Sequence, residues 1–225
     1  MAYGPLALVG GGEFTDGCVF DRGLLDAAGG AEVLVLPTAA AYEHPGRLVD
    51  RAVAWFASLG GTARGLDVLR RPDALDPAKV AEVRSAKFVY LVGESPMHLR
   101  SVLKDTPMWE ALVAAWQDGA VLAGSGAGAM ALCDPMVDPR GGAFTLGLGL
   151  IGGLTVIPEF ETWSHDAVHR TRKLCPPDLA LVGIPTASAL LSTDGQWRSE
   201  GAANASVFLD GGLADLSSLP APAPA

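Results

Sequence analysis

Apolar residues enter this chain in short, unbroken runs separated by longer amphipathic stretches. Leu6–Gly10, Val33–Pro37, Phe88–Val92 and Val121–Ser125 are continuous rather than alternating. That pattern suits strands covered on both faces. A further strand is expected at Gly65–Leu69. Between the runs the period changes. Leu48, Ala52, Trp55, Phe56 and Leu59 recur at helical spacing, with Gly60 as the stop. A second helix is expected from Pro107, capped by Thr106, carrying Trp109, Leu112, Val113 and Trp116 inward and closing at Gly119. Strand–helix alternation implies right-handed crossovers and a mostly parallel sheet, hence an α/β fold of three α/β/α layers.

From Gly141 the pattern loosens. Gly141–Leu150 reads as a strand or loop pair, Leu154–Pro158 as a strand, and His165–Leu174 as a helix. Residues 180–210 suggest strands with a hairpin at Asp194-Gly195. No repeat or linker divides the chain, so residues 1–216 are expected to form one domain. The Pro/Ala-rich end, 217–225, offers little for a core and is expected to be disordered.

Composition narrows the function classes. The chain has 225 residues, 49% hydrophobic and 18% charged, which is too apolar for disorder. No run reaches the roughly 18 apolar residues of a membrane span. Met1-Ala-Tyr-Gly-Pro has no basic region of a signal peptide. Cys18, Cys133 and Cys175 fit no zinc or disulfide framework, and a cytoplasmic location is the expectation. The net charge of −9 opposes nucleic acid as a partner.

The most informative segment is Val121-Leu-Ala-Gly-Ser-Gly-Ala-Gly-Ala-Met130. A strand runs into a turn of small residues and then into a helix, Ala127–Cys133. In hydrolases this geometry is the nucleophile elbow, which lifts one side chain above the sheet; a tight strand–helix turn of any α/β protein reads the same way. Gly124, Gly126 and Ala129 also satisfy a dinucleotide fingerprint, but the strand is a late one and no acidic residue lies about 20 positions on to hold a ribose. No pattern calls for a cofactor. His165 and His169, four apart on one helix face, are weak candidates for a metal, because nothing aligns a third ligand. His44 and His98 flank helix starts and read as structural or solvated, and Cys133 as core.

The stretch resembles the elbow of the serine-peptidase family of dipeptidase E and cyanophycinase, which has a class I glutamine amidotransferase-like, flavodoxin-like fold. The family typically reads Gly-(Ser/Thr)-Ser-Ala-Gly-Ala, with the middle serine as nucleophile. This chain reads Gly124-Ser-Gly-Ala-Gly-Ala129, so Gly126 stands in the nucleophile's place. The resemblance runs over roughly residues 6–210, with Val9-Gly-Gly-Gly-Glu-Phe14 and Leu36-Pro-Thr-Ala39 also in place. Two more positions depart. The family's Gly-Gly pair beside the oxyanion is here Gly93-Glu94, followed by Ser95, and its general-base histidine is replaced by Glu159 in Pro158-Glu-Phe160.

The resemblance implies a ligand cleft lined by Gly93, Glu94, Ser95, Ser125, Gly126, Ala127 and Glu159, and it is compatible with a homodimer. Ser125 is expected to face packing rather than to substitute as nucleophile, by strand alternation. A carboxylate is roughly two pKa units less basic than imidazole, and two carboxylates repel a developing oxyanion. The expectation is a degenerate, non-hydrolytic homologue holding a small molecule or short peptide. The alternatives are an enzyme repurposed around Glu94 and Glu159 as an acid–base pair, or residual hydrolysis.

Overall fold

The computed structural model describes residues 3–140 and 142–222. The apolar runs form strands buried along their whole length. In chain order the elements are β1 (Leu6–Val9), α1 (Phe20–Ala27), β2 (Val33–Ala39), α2 (Pro45–Ser58), β3 (Ala63–Gly65), α3 (Pro77–Ser85), β4 (Phe88–Gly93), α4 (Pro96–Leu103), α5 (Pro107–Gln117), β5 (Val121–Ser125) and α6 (Ala127–Leu132). The short strands β6 (Cys133–Asp134), β7 (Met136–Val137), β8 (Phe144–Thr145) and β9 (Ile151–Gly152) follow. The chain then forms β10 (Leu154–Pro158), α7 (His165–Leu174), β11 (Ala180–Ile184), β12 (Ser188–Thr193), β13 (Gln196–Gly201), β14 (Ser206–Leu209) and β15 (Gly212–Ala214).

The central seven-stranded sheet has the order β13-β12-β1-β5-β4-β2-β3. Its β1, β2, β3, β4 and β5 are mutually parallel, and β12 returns antiparallel against β1. Alternation splits each central strand between two cores. Leu6 and Leu8 face the core that includes α4, α5 and α6, whereas Ala7 and Val9 face the one built with α1 and α2. Removing apolar surface from water on both faces supplies the main drive for this layering, at about 25 cal/mol per Å². A second sheet, β10-β11-β14-β15, packs beyond α6.

Several expectations shift. The third strand is Ala63–Gly65 rather than Gly65–Leu69, because it pairs only with β2 at the sheet's edge, and the chain turns away after the Leu66 N–H donates to the Val35 carbonyl. The helix after the elbow stops at Leu132, and Cys133 passes into β6. Of Gly141–Leu150, Gly141 lies outside the described residues, Phe144–Thr145 form β8 against β7, and Leu146–Leu150 are loop. Of the terminal segment, Leu219 and Pro222 are buried, Pro220 is half-buried, and Ser217, Ser218 and Ala221 are exposed. The Trp197 indole Nε1 donates to the Pro220 carbonyl at 2.7 Å. Residues 223–225 lie outside the described residues. The hydrophobicity of 217–225 is low, but Leu219 joins the core and Pro220 meets the Trp197 indole, which no local pattern reveals.

Candidate active-site cleft

The parallel strands aim their C-terminal ends at one edge of the sheet, where ligand sites of open α/β sheets form. Three loops meet there: Gly10–Phe14 after β1, Ala40–His44 after β2, and Gly93–Ser95 between β4 and α4. The elbow at Gly126 stands among them. Gly126 has φ +52° and ψ −111°, a backbone conformation that L side chains rarely adopt. The strained turn of a nucleophile elbow is therefore kept, without its side chain. A Cβ placed on Gly126 would meet no closer atom than the Gly93 carbonyl oxygen at 3.6 Å, so the space for a side chain is open. Gly128 must remain small, because a Cβ there would come within 2.5 Å of the Leu91 carbonyl oxygen.

The glycine loop after β1 is the hub. The Val9 carbonyl accepts from the Gly126 N–H at 3.0 Å, the Gly10 carbonyl from the Glu159 N–H at 2.7 Å, and the Gly11 carbonyl from the Ala187 N–H at 2.8 Å. Successive carbonyls of one strand end thus hold the elbow, the former base position and the turn before β12. Glu159 sits at φ +49°, and its side chain lies over Gly11. A Cβ on Gly11 would sit 3.0 Å from the Glu159 Cγ and Oε1.

Beneath the loop lies a polar pair that local sequence patterns did not single out. Ser125 and Glu13 are both buried, and the Ser125 hydroxyl donates to the Glu13 Oε2 at 2.7 Å. Arg51 on α2 reaches the other side of the same residue, donating to Glu13 Oε1 at 3.3 Å and to its carbonyl at 3.2 Å. Ser125, placed by sequence in the cleft lining, is a buried partner of Glu13. The signal available in the sequence was a carboxylate directly after three glycines at a strand end.

Gly93, at φ +126°, allows β4 to pass close to β2: a Cβ there would stand 2.2 Å from the Ala40 nitrogen. Glu94 follows it and is exposed. Its carboxyl is pushed above the ordinary value, first by the protein packed around it and then by Glu13, Glu159 and Glu43, with Arg51 opposing. Ser95 caps α4, its hydroxyl accepting from the His98 N–H at 3.3 Å, and its own N–H donates to the Ala39 carbonyl. Ala127 is buried at the start of α6. The charges of Glu13, Glu43 and Glu159 therefore act together on Glu94, with Arg51 as the opposing cation.

The remaining candidates lie apart from this chemistry. His165 and His169 are exposed on α7, and among the described residues no group of three His, Cys, Asp or Glu side chains could hold a metal. His98 bonds the Leu69 carbonyl through Nε2 at 2.9 Å, and His44 precedes α2 in the left-handed region. Cys133 is fully buried, which pushes its thiol up to about 12. Among the described residues, no helix is long and apolar enough to cross a membrane.

Known proteins share this architecture. A crystal structure of a peptidase from an acI-B1 Actinobacterium superposes with a TM-score of 0.83 at 31% identity, covering 93% of this chain and 92% of that one. A protein described as a putative peptidase E from Listeria monocytogenes EGD-e matches with a TM-score of 0.66 at 17% identity, over 90% of this chain and 100% of that one. Among curated proteins, nothing matches. The model of peptidase family S51 matches residues 6–143, spanning the glycine loop, the loops that carry Glu43 and Glu94, and the elbow itself. The chain belongs to peptidase family S51.

Proposed function

We propose that this chain is a non-hydrolytic member of family S51 that holds a small molecule or short peptide in the old cleft, and that the occupant carries a positive charge. The observation that carries the reading is Gly126: the elbow backbone is intact, the space above it is open, and no nucleophile fills it. Glu159 cannot take a serine's proton as an imidazole would, and Glu94 adds negative charge where a tetrahedral intermediate needs donors. The same carboxylates favour a cation, and Tyr42, 82% exposed on the loop that also carries Glu43, offers a ring face to one.

The purified chain should be treated with a fluorophosphonate probe and assayed on aspartyl dipeptides beside an intact family member. Neither labelling nor turnover is expected. Calorimetric titration with arginine amide and with an acidic dipeptide should show binding of the cation only. Stoichiometric labelling, turnover, or preference for the acidic peptide refutes the proposal.

One observation favours a second reading, an enzyme rebuilt around Glu94 and Glu159. The Glu94 carboxyl is pushed above its ordinary value, first by burial and then by the charges of Glu13 and Glu159, and a raised carboxyl is what the general acid of a paired-carboxylate site needs. Such an enzyme would give a bell-shaped pH–rate profile that disappears in Glu159→Gln.

A further inference from the structure

At the opposite end of the sheet, where β1 begins, the terminal segment crosses an aromatic surface. Leu219 has φ −71° and ψ 138°, within the polyproline II region, and the alternating prolines that follow fix φ near the same value. A polyproline II strand makes no internal hydrogen bonds, so its carbonyls are free to be read by donors. Here the Trp197 indole reads one of them, donating to the Pro220 carbonyl at 2.7 Å. One glycine clears the path: a Cβ on Gly153 would stand 3.1 Å from the Pro220 Cγ, tighter than an ordinary contact, while Gly195 adjoins Ala221 without crowding it. Pro222 is buried beside a cavity of about 330 Å³, where Tyr3 and Trp116 stack at 4.5 Å with planes 13° apart.

An indole N–H on a proline-segment carbonyl, space for a proline ring left by Gly153 and an aromatic stack alongside are the elements by which proline-rich peptides are recognised. We propose that the face formed by Trp197, Gly153, Gly195 and the Tyr3–Trp116 stack is a polyproline II recognition groove, occupied in this chain by its own Leu219–Pro222 segment and able to take a proline-rich peptide in trans. Tethering gives the resident segment an effective concentration in about the millimolar range. The groove is therefore closed to weak partners until its own segment leaves, and it lies away from the cleft, so the two sites are separable.

The test uses the full chain, labelled with nitrogen-15 and followed through the Trp197 indole N–H signal. The signal is identified by its loss in Trp197→Phe. Pro220→Gly and Pro222→Gly together remove the resident segment's preference for polyproline II. The probe is the acetylated peptide Leu-Pro-Ala-Pro-Ala-Pro-Ala. The doubly substituted chain should show a saturable shift of the Trp197 signal. The unsubstituted chain should need at least about ten times more peptide, since its own segment competes. A Gly-Ser peptide of equal length should produce no shift, and Trp197→Phe in the substituted background should lose binding measured by calorimetry. The proposal is overturned if the folded substituted chain shows no shift, if the Gly-Ser peptide acts equally, or if Trp197→Phe binds as well. It is also overturned if the Trp197 indole hydrogen of the unsubstituted chain exchanges with solvent as fast as that of a free indole.

Discussion

A single glycine at position 126 separates a turn that can present a nucleophile from one that cannot. Its φ of +52° lies where a side chain is strained whatever room surrounds it, and room is present. Gly126→Ser should therefore fold with the turn unchanged and lose about 1–3 kcal/mol of stability, the usual cost of a strained non-glycine backbone. It should also remain inactive, because its hydroxyl has no imidazole to activate it; urea denaturation and a dipeptide assay check both halves. Turnover at a family-like rate in this variant would mean that Glu159 and Glu94 do not disable the site. Ser125 carries a different load. Ser125→Ala leaves the buried Glu13 carboxylate short of a donor, and should cost about 1–3 kcal/mol, the penalty for an unsatisfied buried polar group. An unchanged unfolding midpoint would mean that water or Arg51 replaces the hydroxyl. These two neighbours show what is legible at this scale. Gly126 is readable because the elbow's demand for small residues is local. The Ser125–Glu13 bond is not, because it joins positions 112 residues apart, and the carboxylate after three glycines marks only one of its ends.

Elements follow from the chain wherever one period dominates. The central strands and the Thr106-capped helix α5 lie where the apolar runs and capping residues place them, because both faces of those strands are buried and the Thr106 hydroxyl accepts from the Trp109 N–H. Edges escape such reasoning: β3 is short because only β2 holds it, and the segment up to Pro222 is placed by Trp197. Helix α1 hides a further exception. Asp21 lies on its buried side, where a charged residue is not expected, with Oδ2 accepting from the Trp55 indole at 2.9 Å and Oδ1 without a hydrogen-bond partner among the described residues. Burial, and to a lesser degree the Glu13 charge, push its carboxyl up to about 7, while the Trp55 bond opposes. Its pKa in the unfolded chain is about 3.9. Between these values the folded chain keeps a proton that the unfolded chain has released, so stability falls as pH rises from about 4 to about 7. The effect is on the order of a few kcal/mol, since each tenfold change in proton affinity is worth about 1.4 kcal/mol. Urea midpoints at pH 5 and pH 8 should differ accordingly, and Asp21→Asn, neutral at both, should flatten the difference. A parallel slope in Asp21→Asn would assign the pH dependence to another group.

At the scale of the whole molecule, two features read from composition and order converge on the cleft. Strand–helix alternation dictates a parallel sheet whose C-terminal edge gathers the loops, and the net charge of −9 describes the field around them. What composition could not give is where that charge concentrates. Glu43, Glu94 and Glu159 are exposed on separate loops that only the fold brings together around the buried Glu13, whose charge Arg51 partly offsets. Clefts lined by one sign of charge focus the field and raise the local concentration of the opposite ion. A cationic occupant should then bind with an affinity that depends on salt well beyond its direct contacts. The screening length shortens from about 30 Å at 0.01 M to about 8 Å at 0.15 M ionic strength. Across that range the dissociation constant for arginine amide should weaken by roughly tenfold, about 1.4 kcal/mol. Glu94→Gln with Glu159→Gln should both weaken binding and reduce the salt slope, because the field loses two of its sources. A reversal of the acidic residue Asp166, on exposed helix α7, should leave the slope nearly unchanged. If the double replacement leaves the slope intact while Asp166→Lys abolishes it, the cation is held on α7 and the acidic cleft is not its site.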